Sequence, residues 1–245
     1  MYLKIKEYME NLKRKVYNQD LTIIFYTANS FENKLSAGVR ENLLKVAGNY
    51  PIISVSQKPM DFGNKNICVG NIGKSPRNLY RQILIGAKAA KTEYVAMAED
   101  DCLYTKEHFK ACRPDNAFGY NMAKWSFYTW VKPPLYSLKP RKTTSAMIAP
   151  RKLLIEALEE RYAKYPDDNN YPIHYWGEVG RYEQELGVTV RPTVEYWTYE
   201  PIVMFSHENA LNFESLGARK RHGVMRAYDV AYWGKAEDLK AKYIC

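Results

Sequence analysis

The sequence predicts an α/β protein, a mostly parallel sheet flanked by helices, in a single domain with a C-terminal extension. Three observations predict it. Apolar, strand-like runs alternate with amphipathic helical stretches through the first half of the chain. Those runs are continuously apolar, which is the pattern of strands covered on both faces. One of them, "YVAMAEDDCLY" from Tyr94 to Tyr104, passes directly from apolar residues into Glu99, Asp100 and Asp101. Three neighbouring carboxylates repel one another and are costly to bury unpaired, so positive charge is expected beside them.

The N-terminal "MYLKIKEYMENLKRKVYN" sets Leu3, Ile5, Met9, Leu12 and Val16 roughly on one helical face and reads as a surface helix. "LTIIFYTA" (21–28) is β-branched and aromatic, hence a strand. Residues 31–47 carry Leu35, Val39, Leu43 and Val46 at helical spacing, and "PIISVS" (51–56) is a second strand. Ser75 as N-cap and Pro76 in the first turn open a helix whose apolar face is Leu79, Ile83, Ala87 and Ala90. "EYVAMAE" (93–99) is the third strand. Further on, 123–131 and 143–149 read as strands joined by the proline-rich "KPPLYSLKPRK". A helix follows from Pro150. "YWGEVGRYEQELG" reads as a turn and a short helix stopped by Gly187, and 199–206 is the last strand. The tail from His207 to Tyr228 is polar, basic and loop-like.

The chain has 245 residues, 46% hydrophobic and 26% charged, which suits a soluble protein with one large domain. No apolar run of about 18 residues is present, so no membrane span is expected, and the N-terminus lacks the apolar segment of a secretion signal. Cys68, Cys102, Cys112 and Cys245 are scattered without a C-x-x-C pair. That spacing argues against a zinc site or a disulfide framework and for a reducing, cytoplasmic setting. The net charge of +9 favours a polyanionic partner, nucleic acid first. The 21 tyrosines and 5 tryptophans are candidates for stacking on bases or sugars as well as for the core.

In parallel sheets ligands bind beyond the carboxyl ends of the strands. Glu99, Asp100 and Asp101 fall at that edge, together with Thr27 and Asn29 after the first strand and Ser56 to Lys58 after the second. Acidic residues one apart at a strand end offer oxygen ligands to Mn²⁺ or Mg²⁺, which can bridge a nucleotide diphosphate. A lone E-x-D is also common in solvated turns. Here the preceding βαβαβ pattern and the apolar strand favour a site.

In order along the chain, "FYTANS", the helix "SPRNLYRQILIGAKAAKTEYV", "AEDD", the carboxylate in "WGEVGRYEQELG" and the histidine in "MFSHEN" resemble glycosyltransferases of the Rossmann-like GT-A fold, of the family-2-like kind. The resemblance spans roughly 20–210. It implies a nucleotide-sugar-binding half at 20–105, an acceptor half at 106–210 and a basic extension at 211–245. It implies that Thr27 and Asn29 lie under the nucleotide base, that Arg77 or Asn78 faces the donor, and that Glu99 lies near the ribose with Asp100 beside it. Asp101 would ligate the metal, with His207 or His222 as a further ligand. Glu178 matches the general base of inverting members, which often carry Glu-Asp where this chain has Glu178-Val179. Glu183 and Asp100 are the next candidates for that role. A glutamate interacting with a helix N-terminus is the structural alternative for Glu178.

"ARKRHG" (218–223) gathers Arg219, Lys220 and Arg221, which read as a solvated basic loop or as a grip on the donor diphosphate or an acceptor backbone. "LKRKVY" (12–17) and "KPRK" (139–142) are further basic clusters. With the charge and the absence of a membrane element, the chain is similar to the phage DNA glycosyltransferases and the base J-associated glucosyltransferases. That branch implies a UDP-sugar donor, UDP-glucose first, and a double-stranded DNA acceptor carrying a hydroxymethylated pyrimidine. Three rivals stand beside it: a GT-A enzyme acting on a glycan or lipid, a nucleotidyltransferase, and a non-catalytic nucleic-acid-binding module.

Overall fold

The computed structural model describes residues 20–30, 33–128, 131–206 and 223–244. The first half follows the expected alternation: β1 (Leu21–Thr27), α1 (Lys34–Ala47), β2 (Ile52–Ser56), β3 (Lys65–Cys68), α2 (Pro76–Ala89) and β4 (Tyr94–Glu99). Both helices begin where side chains satisfy the orphan amides of the first turn. Asn33 and Ser36 form a reciprocal capping box on α1, and Ser75 Oγ accepts from the Asn78 amide at 3.0 Å on α2, with Pro76 at the first helical position.

The remaining elements are β5 (Cys102–Leu103), α3 (Lys106–Ala111), β6 (Phe118–Asn121), β7 (Lys124–Tyr128), β8 (Tyr136–Leu138), β9 (Met147–Pro150), α4 (Arg151–Lys164), α5 (Glu183–Leu186), β10 (Thr193–Tyr196), β11 (Ile202–Ser206), β12 (Met225–Ala227), β13 (Asp229–Val230), β14 (Gly234–Lys235) and α6 (Ala236–Tyr243). The large sheet runs β10-β6-β9-β4-β1-β2-β3. β4, β1, β2 and β3 are parallel to one another, as are β6 and β10, while β9 lies antiparallel to both its neighbours. The expected α/β class with a mostly parallel, helix-flanked sheet is therefore the one observed.

A second sheet, β12-β8-β7-β11-β5, leans against the first. The chain enters it immediately after β4, through the turn at Asp100–Asp101, and the Phe205 amide of β11 donates to the Asp101 carbonyl at 2.8 Å. The acidic stretch is thus the corner where the backbone changes sheets. Helix α2 lies on β1 and β2, and Gly86 permits the approach: a Cβ there would sit 2.5 Å from an Ile24 methyl. Ile24, Val55, Ile83, Ala87 and Met97 form the core of that layer.

Several expectations change. The 143–149 stretch begins as a 3₁₀ turn over Thr144–Ala146, and β9 starts only at Met147. Residues 225–227 of the expected loop-like tail form β12, paired antiparallel with β8. What was read as an extension folds back: Val230, Ala236, Leu239 and Tyr243 join Leu35 and Val39 of α1, Phe127 and Phe205 in a third core. The N-terminal helix expected over the first 18 residues lies outside the described residues.

Candidate functional site

The carboxyl ends of β1, β2 and β4 open onto a cleft of about 470 Å³. Its floor holds Tyr26, Thr27, Gln57, Glu99, Asp100 and Asp101, and Lys74–Pro76 at the start of α2 form one side. Arg141 and Thr143–Ser145 close another side. His174, Trp176–Glu178 and Tyr182 form the wall opposite.

Among the described residues, hydrogen bonds and the buried Lys124 stand against the carboxylates. The Tyr26 hydroxyl donates to Glu99 Oε1 at 2.5 Å, and the Thr27 hydroxyl donates to Asp100 Oδ2. Tyr104 Oη accepts from the Glu99 amide at 3.0 Å and donates to the Ser145 carbonyl, fixing the strand end against the loop before β9. Behind them sits Lys124, fully buried on β7, with its ammonium donating to Thr143 Oγ1 at 2.7 Å. Desolvation, with Asp101 beside it, pushes the Glu99 carboxyl up to about 8. Burial draws the Lys124 ammonium down to about 7, with Arg141 adding to that. The Glu99 and Lys124 charges favour each other's ionisation, yet burial dominates both.

One ligand atom from each of Glu99, Asp101 and Cys102 lies within 4.8 Å of the others. Burial pushes the Cys102 thiol well above its usual range, and Cys102 Sγ donates to Asp101 Oδ1 at 3.2 Å, so the thiol keeps its proton. The oxygens of Glu99 and Asp101 are the hard donors that suit Mg²⁺ or Mn²⁺, with phosphate oxygens to complete the shell.

Glu178 lines the facing wall with its side chain 20% exposed and bonded to Arg181 Nη1 at 3.2 Å. Its loop is held from beneath. Arg161 of α4, fully buried, donates to the carbonyls of Gly177 at 2.8 Å and Glu178 at 3.4 Å and pairs with Glu183 at 2.7 Å. Glu183 Oε1 in turn accepts from the Gly180 amide at 2.6 Å. Glu183 is thus bound into the support of this loop and does not line the cleft. Asp100 does line the cleft, where it accepts from Thr27.

Three expected donor-side residues do other work. Asn29, at a positive φ of 48°, accepts from the amides of Gln57 and Lys58 at 2.8 and 2.9 Å, tying the end of β1 to that of β2. Arg77 turns away from the cleft. It is 2% exposed, its guanidinium lies over the rings of Tyr162, Tyr171 and Trp176, and Nε bonds Asp168 at 2.7 Å. The Asn78 side chain donates to the carbonyls of Ile72 and Gly73, bracing the loop before α2. Neither Arg77 nor Asn78 lines the cleft. His207, Arg219, Lys220, Arg221 and His222 lie outside the described residues, as does "LKRKVY".

Sequence reasoning missed Tyr26, Lys74, His174 and Tyr182 in the cleft lining, whereas Gln57 falls within the Ser56 to Lys58 edge it expected. Arg141 had a signal in "KPRK". Lys124 had one as well, as a cation inside the apolar run "AKWSFY".

No protein-family model matches the sequence, and no curated protein does either. Among solved structures the chain is similar to a nucleotidyl transferase from Methanothermobacter (14% identity, 71% of this chain and 86% of that one, TM-score 0.39). It is similar to a glycosyltransferase involved in glycosylation of the major capsid of PBCV-1 (11% identity, 79% and 95%, TM-score 0.44). It is also similar to the bifunctional IspDF from Campylobacter jejuni (12% identity, 74% and 50%, TM-score 0.35). Likenesses this faint leave the chemistry of the cleft to its own residues. No helix among the described residues is long and apolar enough to cross a membrane.

Proposed function

We propose that the protein is a metal-dependent glycosyltransferase that takes a sugar from a nucleoside diphosphate sugar, UDP-linked by the sequence resemblance. The observation that carries this reading is the pairing, in one cleft, of Glu99 and Asp101 at the end of β4 with Glu178 on the opposite wall. Group transfer from a diphosphate needs negative charge neutralised at the leaving group and a carboxylate to take the acceptor's proton. A bound Mg²⁺ or Mn²⁺ would supply that neutralisation. Asp101 and Glu99 would hold it, with Lys74 and Arg141 flanking the diphosphate. Glu178 would receive the hydroxyl proton, its orientation set by Arg181.

The acceptor assigned within this reading is the hydroxymethyl group of a modified pyrimidine in double-stranded DNA, supported by the net charge of +9. A duplex is too wide for a cleft of about 470 Å³, so the base would leave the stack to reach Glu178.

The test begins with donor binding. UDP with Mn²⁺ is expected to raise the melting temperature of the wild type, because it binds only the native state. Asp101→Asn is expected to lose that shift and at least about a hundredfold in transfer rate. Full activity of Asp101→Asn in EDTA would sink the reading. Released UDP rather than pyrophosphate separates sugar transfer from nucleotidyl transfer. Label from UDP-glucose in DNA containing 5-hydroxymethylcytosine or 5-hydroxymethyluracil, against unmodified DNA, tests the acceptor. No label in either, with donor binding intact, moves the assignment to a glycan or lipid acceptor.

A further inference from the structure

A second groove, of about 380 Å³, lies at the far end of the smaller sheet. β7 and β11 run parallel, and the carboxyl-terminal end of β11 (Phe205, Ser206) reaches the acidic cleft. Their starting ends, at Ala123 and Pro201, open onto this other groove. Trp125, Trp197, Tyr199, Met225 and Asp229 are among its lining residues. Trp197 is 60% exposed and Tyr199 is 97% exposed. Two exposed aromatic rings lining one groove offer a partner a stacking surface.

The loop that presents them is rigidly held. Glu107 of α3 accepts from the amides of Tyr199 and Glu200 at 3.2 and 2.7 Å. Thr198, buried between the rings' backbones, accepts from Asn121 Nδ2 at 2.9 Å and donates to the Glu200 carbonyl at 2.9 Å. Trp233 Nε1 donates to the Pro201 carbonyl at 2.6 Å. Polar groups have thus fixed the backbone while the rings stay uncovered, so the backbone part of the ordering cost is met in advance.

Charge selects the ligand. Among the described residues no lysine or arginine lines the groove, and Asp229 does. Among these residues a phosphate chain would meet a carboxylate and no cation, which is the reverse of a nucleic-acid surface. Flat, mixed C–H and hydroxyl faces suit aromatic rings beside a single hydrogen-bond acceptor.

We propose that this groove binds an uncharged carbohydrate chain, with sugar rings stacked on Trp197 and Tyr199 and a hydroxyl donating to Asp229. It stands independently of what the acidic cleft does.

The test titrates the full chain with uncharged tetrasaccharides of glucose, N-acetylglucosamine, mannose and galactose, followed by calorimetry and tryptophan fluorescence. A charged uronic-acid tetrasaccharide and a dT12 oligonucleotide serve as the anionic arms. Saturable binding of at least one neutral sugar is expected, weakened at least about tenfold by Trp197→Ala and by Tyr199→Ala. Both side chains are exposed, so unchanged circular dichroism and melting are expected of these variants. Asp101→Asn is expected to leave the binding as it is, which separates failure of this groove from failure of the cleft reading. Four results would overturn the proposal. One is no neutral sugar bound at millimolar concentration, and another is sugar binding indifferent to both ring variants. The third is dT12 or the uronate bound with the same dependence on Trp197. The fourth is concentration-dependent dimerisation abolished by Trp197→Ala.

Discussion

The two facing walls of the acidic cleft are built in opposite ways. The floor with Glu99 to Asp101 grows from β1 and β4, whose backbones are paired in register from Leu21 with Tyr94 to Tyr26 with Glu99. Its position follows from short-range pattern and ladder hydrogen bonds. The wall with His174, Trp176 and Glu178 belongs to a segment with only a 3₁₀ turn of regular structure. It is placed by two long-range ion pairs, Arg161 with Glu183 and Arg77 with Asp168, and by rings packed around Trp176. The floor is held by the fold, whereas the wall is held by a few side chains that single substitutions can remove.

The largest expected effect lies on the wall's reactive group. Glu178→Gln keeps the shape and removes the proton acceptor. It is expected to cost about 10²–10⁴ in transfer rate while UDP affinity stays within a few fold. Single-turnover kinetics beside donor titration measure both. A normal transfer rate would leave the wall a mere boundary and move the base to the floor.

Next comes the buried pair beneath that wall. Glu183→Gln leaves the guanidinium of Arg161 uncompensated where water cannot reach it, an expected loss of about 3–5 kcal/mol in unfolding free energy. Denaturant titration reads it directly. A loss below about 1 kcal/mol would mean that the wall has support of another kind.

Arg77→Met tests the second anchor. The methionine fills part of the space among Tyr162, Tyr171 and Trp176 but gives up Asp168 and the Pro166 carbonyl, which Arg77 Nη2 reaches at 3.3 Å. A loss of about 1–3 kcal/mol is expected. Transfer should fall more than donor binding, since Arg77 holds the wall and does not line the cleft. Equal falls in both would show that the two walls are coupled through the start of α2.

How legible each wall is in the sequence follows from the same contrast. β1, β2 and β4 announce themselves as unbroken apolar runs, and the end of β4 marks the floor. β3 ("KNIC"), β6 ("FGYN") and β10 ("TVEY") are four residues each with polar members, so no window separates them from loops. Arg77 or Asn78, in the first turn after Ser75, was expected from the resemblance to face the donor; Arg77 turns elsewhere. Its real partner is Asp168, 91 residues away, and spacing along the chain carries no trace of that. Glu178 could be singled out as a carboxylate beside aromatic residues. That Glu183, five residues on, is buried against Arg161 could not be seen from sequence.

The smallest effect is the pH response of the Arg77 anchor. Hydrogen bonds from Arg81 and then Arg77 hold the Asp168 carboxyl below its ordinary value. A carboxylate whose folded value is depressed stabilises fully above the unfolded value of about 4 and loses that contribution as pH falls through the folded value. The Asp168 side chain is 51% exposed, so solvent screening keeps the whole contribution under about 1 kcal/mol. Melting curves of wild type and Asp168→Asn should therefore differ slightly at pH 6, with the wild type the more stable. They should converge as the pH drops below 4, and the difference at pH 6 should shrink in 1 M salt. No gap at pH 6 would assign the wall's second anchor to the aromatic rings around Arg77 rather than to its ion pair.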